Sequence, residues 1–435
     1  MSAGASGRGR SRRTGATLAR RLAAAAALAG VLAGAVAWLN LRGDAHFAQA
    51  DSTVAPTPAL VARGAYLARV GNCAGCHTAP GGAAYAGGRG IDTPFGTVYA
   101  GNLTPDNATG LGAWTAGDFW RALHNGRSRD GRLLYPAFPY PDLTQTTRED
   151  SDALFAYLRT LPAVAQPARP HALRWPFDST VALALWRALY FRPGVFEPDP
   201  ARSAEWNRGA YLVRGLGHCA ACHAPRNALG ATRDAQALGG GAIPMQGWVA
   251  PSLSDDAEAG VRHWAPEDVA ALLRTGVSPR GTALGPMAQV VMRSTQHLDD
   301  ADLRAMVAYL QSLPADPAAR AAAPAPDPAS MARGQRLYDD HCADCHGAQG
   351  QGAAGAYPAL AGNRSVTMAS PANVVRVIVE GGFAPATAGH PRPYGMPPFG
   401  QSLQRDEIAD VATYVRNAWG TQAGAVRELD VIDVR

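Results

Sequence analysis

Cys73-Ala74-Gly75-Cys76-His77, Cys219-Ala220-Ala221-Cys222-His223 and Cys342-Ala343-Asp344-Cys345-His346 are three copies of one pentapeptide, and all six cysteines of the 435-residue chain lie inside them. Cys-x-x-Cys-His is the attachment site of c-type haem: the two thiols add to the porphyrin vinyl groups and the adjacent imidazole becomes the proximal iron ligand. Cys73, Cys76, Cys219, Cys222, Cys342 and Cys345 are therefore read as covalent attachment points for three haem c groups, with His77, His223 and His346 as axial ligands. A chain of this composition would contain the motif by chance roughly 0.002 times. A redox Cys-x-x-Cys pair or half of a zinc site would explain the thiols but not the histidine after each pair.

Composition narrows the class. The length suggests about three domains at roughly 100–200 residues each. With 48 glycines, 33 prolines and 7% aromatic residues, small helical units joined by irregular loops fit better than one large sheet core. The net charge of +5 is misleading, because residues 1–43 hold seven arginines and no acid, leaving −2 for the remainder. No basic field is left for nucleic acid. Residues 1–21 read as a cytoplasmic basic segment, and 22–41 as a transmembrane anchor or signal region. The apolar run from Leu22 to Leu39 spans about 27 Å as a helix, against roughly 30 Å of hydrocarbon. Arginines before it and few positive charges after it put the body outside, on the periplasmic face of a bacterial inner membrane. A signal peptide cleaved at Ala48-Gln49-Ala50 is the alternative, with its site late relative to the apolar run.

Each pentapeptide heads a similar module, the signature of tandem duplication. Arg63-Gly64-Ala65-Tyr66-Leu67 and Arg208-Gly209-Ala210-Tyr211-Leu212 match closely, and Arg333-Gly334-Gln335-Arg336-Leu337-Tyr338 is the third version. The glycine predicts close approach of another helix. An amphipathic helix bearing Tyr157, Tyr309 or Tyr414 closes each module. The expected fold is all-α: three tandem domains over 58–165, 205–315 and 330–420, each wrapped round one haem, followed by a tail at 421–435. A proline- and alanine-rich linker fills 316–329. The other linker, 166–204, carries an apolar helix from Val181 to Phe191. Interrupted by Arg187, its eleven residues are too few to span a bilayer. It reads as a brace between the first two domains, or as a docking surface for a partner subunit or the membrane.

A methionine thioether opposite the histidine favours ferrous iron and raises the potential. Met396, in Gly395-Met396-Pro397-Pro398-Phe399, fits this role in domain 3, with Met368 as its competitor. Met287, in Gly285-Pro286-Met287, fits in domain 2. Domain 1 contains no methionine, and its corresponding loop reads Leu134-Tyr135-Pro136-Ala137-Phe138-Pro139-Tyr140. The nearest unassigned imidazole there is His124, a tentative sixth ligand. The alternatives are a simple exposed helix-end histidine and a vacant, water-bound or otherwise filled sixth position.

With these residues in hand, the chain resembles the tri-haem cytochrome c subunits of membrane-bound bacterial dehydrogenases. The resemblance rests on Gly71-Asn72-Cys73 through Gly82, Thr93-Pro94-Phe95-Gly96-Thr97, Asn102-Leu103-Thr104-Pro105-Asp106 and Glu205-Trp206-Asn207-Arg208-Gly209-Ala210-Tyr211-Leu212. It implies class I cytochrome c domains, and an electron relay without a catalytic site of its own. Its partners would be a dehydrogenase catalytic subunit of flavin, pyrroloquinoline quinone or molybdopterin type, a small subunit, and ubiquinone or a terminal oxidase as acceptor. Phe138, where the alcohol-dehydrogenase branch has methionine, is similar to subunits accompanying molybdenum hydroxylases that act on aldehydes or nicotinate. A multi-haem enzyme, peroxidase-like and using the first haem, is the alternative from another class. A cytochrome subunit of a terminal oxidase is a third reading.

Overall fold

A computed structural model describes residues 9–42, 56–233, 238–315, 323 and 325–432, with side chains of the N-terminal helix described from Leu18 onward. The candidate cleavage site Ala48-Gln49-Ala50 and most of the linker 316–329 lie outside these residues.

The repeat read from the sequence is a repeat of helix crossings. Opening helices run over Pro58–Val70, Ala204–Tyr211 and Pro328–His341. Thr57, Ser203 and Asp327 cap them, each side chain accepting a backbone N–H of the first turn, which satisfies a donor that has no intrahelical partner. Closing helices run over Arg148–Leu158, Asp300–Gln311 and Arg405–Asn417. Each opening helix crosses its closing helix at the glycine. A Cβ on Gly64 would collide with the Ala153 carbonyl, one on Gly209 with the Ala305 carbonyl, and one on Gly334 with the Asp410 carbonyl. A third helix in each domain, Ala116–Asn125, Pro266–Thr275 or Ala372–Glu380, ends at Gly126, Gly276 or Gly381. These caps adopt φ of 56°, 76° and 67°, positive values that glycine takes without a Cβ penalty.

The all-α expectation needs correction. Helix dominates, but Gly90–Thr93, Gly96–Tyr99 and Ala172–Leu173 form an antiparallel three-stranded sheet, with Thr93 opposite Gly96 and Gly96 opposite Leu173. Two-residue ladders pair Gly241–Ala242 with Val249–Ala250, Val277–Ser278 with Gly281–Thr282, and Gly382–Phe383 with Gly395–Met396. Glycine-rich loops too short to show alternation make these ladders, so no strand pattern announces them.

Domains 1 and 2 share one hydrophobic core, in which Leu67, Leu154, Leu212, Leu216 and Tyr309 are almost fully buried; domain 3 has its own around Tyr338, Ile408 and Val411. Domain 3 docks on domain 2. Asn373 Nδ2 donates to the Val249 carbonyl at 2.7 Å and its Oδ1 accepts the Val249 N–H at 2.9 Å, while the Arg364 N–H donates to the Arg280 carbonyl at 3.0 Å. The N-terminal helix, Gly9–Leu41, includes a 24-residue stretch, Leu18–Leu41, long and apolar enough to cross a membrane.

Gly64→Ala is expected to destabilise domain 1 by about 1–3 kcal/mol, the usual range for overpacking. Gly194→Ala, where a Cβ meets nothing within 4 Å, should leave the thermal midpoint unchanged. Equal midpoints for the two variants would contradict the crossing.

Candidate haem sites

Each pentapeptide comes after an opening helix, at once in domain 3, after Gly71-Asn72 in domain 1 and after a wider helical turn at Leu212–Leu216 in domain 2. Each forms a short helical turn at Cys73–His77, Ala220–His223 or Ala343–His346. The turn points the histidine at a loop carbonyl. His77 Nδ1 lies 2.7 Å from the Gly101 carbonyl, His223 Nδ1 2.8 Å from that of Pro251, and His346 Nδ1 3.0 Å from that of Pro358. Only a protonated Nδ1 can donate to a carbonyl, so the contact fixes the tautomer and leaves Nε2 with its lone pair for a metal. Burial holds all three imidazoles below the usual histidine range, against the opposing pull of the carbonyl. A neutral ring is the form that ligates.

The buried thiols lack the lowered pKa of a redox-exchange pair. All six are free of disulfides. Burial pushes Cys73 and Cys219 up to about 12 and Cys342 to about 11, the reverse of a reactive Cys-x-x-Cys pair. Among the described residues, no group of three or more His, Cys, Asp or Glu side chains converges as a metal site.

Sites two and three open into one cavity of about 880 Å³. Its wall includes Cys219, Cys222, His223 and Met287 from domain 2, and Cys342, Cys345, His346 and Met396 from domain 3. An apolar cavity faced by a thiol pair, an imidazole and a thioether from each side fits the porphyrin that the motifs call for. Met368 also reaches this wall. Its sulfur accepts from Asn373 Nδ2 at 3.5 Å, and buried Arg416 donates to its carbonyl at 2.9 Å. Met368 is thus engaged at the domain 2–3 contact, while Met396 stands in the ladder with Gly382.

Domain 1 differs where the sequence does. Phe138 packs against the shared core, its ring 6.4 Å from that of Tyr140. His124 is buried rather than exposed at its helix end. Its Nδ1 lies 2.8 Å from the Thr144 carbonyl and its ring 5.4 Å from that of Trp120. It takes the helical position of Arg274, two residues before the matching cap glycine. Arg274 pairs with Asp300, while its neighbours Leu272, Leu273 and Thr275 line the cavity. His124 therefore ties its helix to the loop after Tyr140–Leu143.

Two sets of groups lay outside the sequence reading. The carbonyls of Gly101, Pro251 and Pro358 each precede a residue followed by leucine (Leu103, Leu253, Leu360), so an alignment of the three repeats could have found them. The other is a reciprocal lock between domains 1 and 2. Tyr66 Oη donates to Asp302 at 2.7 Å, and Tyr211 Oη donates to Asp150 at 2.7 Å. Arg208 Nε and Nη2 also donate to Asp302, at 2.6 and 2.7 Å, and Arg63 Nε donates to Asp150 at 2.7 Å. Such an exchange is what an approximate two-fold axis between duplicated domains produces. His218 belongs to the same seam, with Nε2 3.3 Å from the Gly71 carbonyl.

The sequence profile of the family described as Cytochrome c matches residues 61–162, 207–314 and 331–419. The cytochrome c subunit of alcohol dehydrogenase (quinone) from Gluconacetobacter polyoxogenes is 40% identical over 409 residues, covering 89% of this chain and 87% of that protein. The gluconate 2-dehydrogenase cytochrome c subunit of Pantoea cypripedii is 37% identical, covering 87% of this chain and 90% of that one. One of the nicotinate dehydrogenase subunits of Pseudomonas putida is 42% identical over 84% of this chain but only 31% of its own length.

The lock carries a pH dependence. Burial raises the Asp302 carboxyl, but the bonds from Arg208 and Tyr66 outweigh it and hold the group below its usual value. Its contribution is complete above the unfolded value of about 4 and is lost as pH falls through the lower folded value. Tyr66→Phe is expected to cost about 1.5–3 kcal/mol at pH 7, the range for a hydrogen bond to a charged group. In denaturant titrations that cost should shrink below pH about 4. A cost independent of pH would contradict the assignment.

Proposed function

The chain belongs to the cytochrome c family, and from that premise we propose a membrane-anchored, tri-haem electron relay on the periplasmic face of a bacterial inner membrane. It works as a subunit of a dehydrogenase complex, linking a catalytic partner to ubiquinone or a terminal oxidase. The observation that carries this reading is the cavity shared by sites two and three, together with the lock that presses domain 1 onto domain 2. A relay needs its centres close and fixed, and an enzyme acting at iron needs room for substrate.

When bound, haem supplies a one-electron iron couple at each site. The six cysteines would hold it covalently, and His77, His223 and His346 would each present Nε2, oriented by the carbonyl behind Nδ1. Met287 and Met396 would offer soft sulfur in domains 2 and 3, favouring the reduced metal. Phe138 offers no ligand in domain 1, and the haem there would sit at a lower potential than the other two. Domain 2 touches both neighbours, which makes it the middle of the chain of sites. The stretch Leu18–Leu41 would hold the body at the membrane.

Purified from membranes, the full chain is expected to carry a dehydrogenase subunit whose substrate reduces the haem absorbance anaerobically. Isolation without any such subunit, together with turnover of peroxide, would favour the enzyme reading. Phe138→Met is expected to raise the lowest potential in a spectroelectrochemical titration and leave the other two unmoved. Three indistinguishable high potentials in the parent protein would refute the assignment of domain 1.

A further inference from the structure

The linker helix Thr180–Tyr190 is built inside out. Its only charged residue, Arg187, is 3% exposed. Arg187 Nη2 donates to the Asn125 carbonyl at 2.7 Å and Nε to Asn40 Oδ1 at 3.0 Å, and the guanidinium lies 5.0 Å over the ring of Tyr140. On the outward side Val181, Leu185 and Leu189 are 70, 46 and 68% exposed. Their four-residue spacing puts them on one stripe. Trp175, just ahead of the helix, is 83% exposed. A helix facing water carries its charge outward and its aliphatic side chains inward. Here the two are exchanged.

The neighbouring element says what covers the stripe. The last turns of the N-terminal helix lie beside the linker helix, with Asn40 Nδ2 donating to the Ala184 carbonyl at 2.9 Å and Arg127 Nη2 donating to the Asn40 carbonyl at 3.2 Å. Asn40 is buried on a helix that is otherwise almost wholly exposed. Between the two helices runs a cleft of about 710 Å³, with Leu32 and Val36 on one wall and Val181 and Leu185 on the other. If Leu22–Leu39 fills the hydrocarbon, Leu32 lies about 10 Å inside its outer edge at 1.5 Å per residue. Side chains sharing a cleft with Leu32 and Val36 stand at a similar depth.

We propose that the linker helix is a second membrane contact, lying in the outer leaflet with Val181, Leu185 and Leu189 among phospholipid acyl chains. The inference rests on the anchor reading of the N-terminal helix. An eleven-residue helix is about 16 Å long and cannot span, whereas burial of an apolar face by about 5–10 Å is the usual depth of an interfacial helix. The contact has a consequence for the relay. Arg187 bonds domain 1 at Asn125, and Trp186 Nε1 donates to the Leu229 carbonyl of domain 2 at 2.9 Å. Membrane and paired domains are thereby held in one orientation, which a single flexible tether could not impose.

The test uses the haem-loaded full chain in nanodiscs of phosphatidylethanolamine and phosphatidylglycerol. With the native cysteines consumed by haem, an introduced one is the only reactive thiol. Val181→Cys, Leu185→Cys and Leu189→Cys are expected to react with a charged, membrane-impermeant maleimide at least tenfold more slowly than Phe383→Cys, an exposed position in domain 3. Val31→Cys on the N-terminal helix should be equally protected. Fast reaction at all three linker positions with Val31→Cys still protected would overturn the second contact and leave the anchor standing. Fast reaction at Val31→Cys as well would overturn the anchor too. Protection in native membranes but not in nanodiscs of the purified chain would assign the stripe to a partner protein and overturn the proposal.

Discussion

In all three domains the opening helix meets the closing helix backbone to backbone, and only glycine leaves room for that. With Gly64, Gly209 and Gly334 at the crossings, the chain leaves the opening helix at a fixed place, and the pentapeptide turn follows within a few residues. The turn aims its histidine at a loop carbonyl 2.7–3.0 Å away. In domains 2 and 3 loop, turn and third helix line one shared cavity. Had the crossing been looser, the imidazole would have no defined partner behind it and no defined direction in front.

Small departures from the repeat decide how the domains assemble. Domains 1 and 2 carry Tyr66 and Tyr211 two residues after the crossing glycine, and each tyrosine reaches the other domain's carboxylate. Domain 3 has Arg336 there and takes no part in that exchange. Its Arg333 pairs with Asp410, one turn further along the closing helix than Asp150 and Asp302 in their domains. Domain 3 instead uses Asn373, Arg364 and Arg376 to dock on domain 2. Two different joints thus meet in domain 2, one reciprocal and one not. That asymmetry gives the assembly a middle and two ends.

Much of this was legible in the residues. The six thiols, the three histidines, the crossing glycines and the missing sulfur in domain 1 are local signals, and the glycines do lie where the helices cross. What stayed hidden depends on distance along the chain or on backbone groups. Tyr66 and Asp302 are separated by 236 residues. The carbonyls of Gly101, Pro251 and Pro358 belong to no side-chain pattern. The choice between a ligating and an exposed His124 was open because its covers, Trp120 and Thr144, are fixed only by tertiary packing. The two-residue ladders are shorter than any alternation a sequence can display. The linker helix was legible as apolar, but not as inverted, since the burial of Arg187 depends on Asn40 and Asn125.

The account stands on all six cysteines being consumed by three haems. The intact mass of the exported chain, taken after denaturation with an alkylating reagent present, tests this directly. The expected mass carries three haem additions and no alkylated thiol. Fewer haems, with alkylation at the cysteines left over, would contradict it.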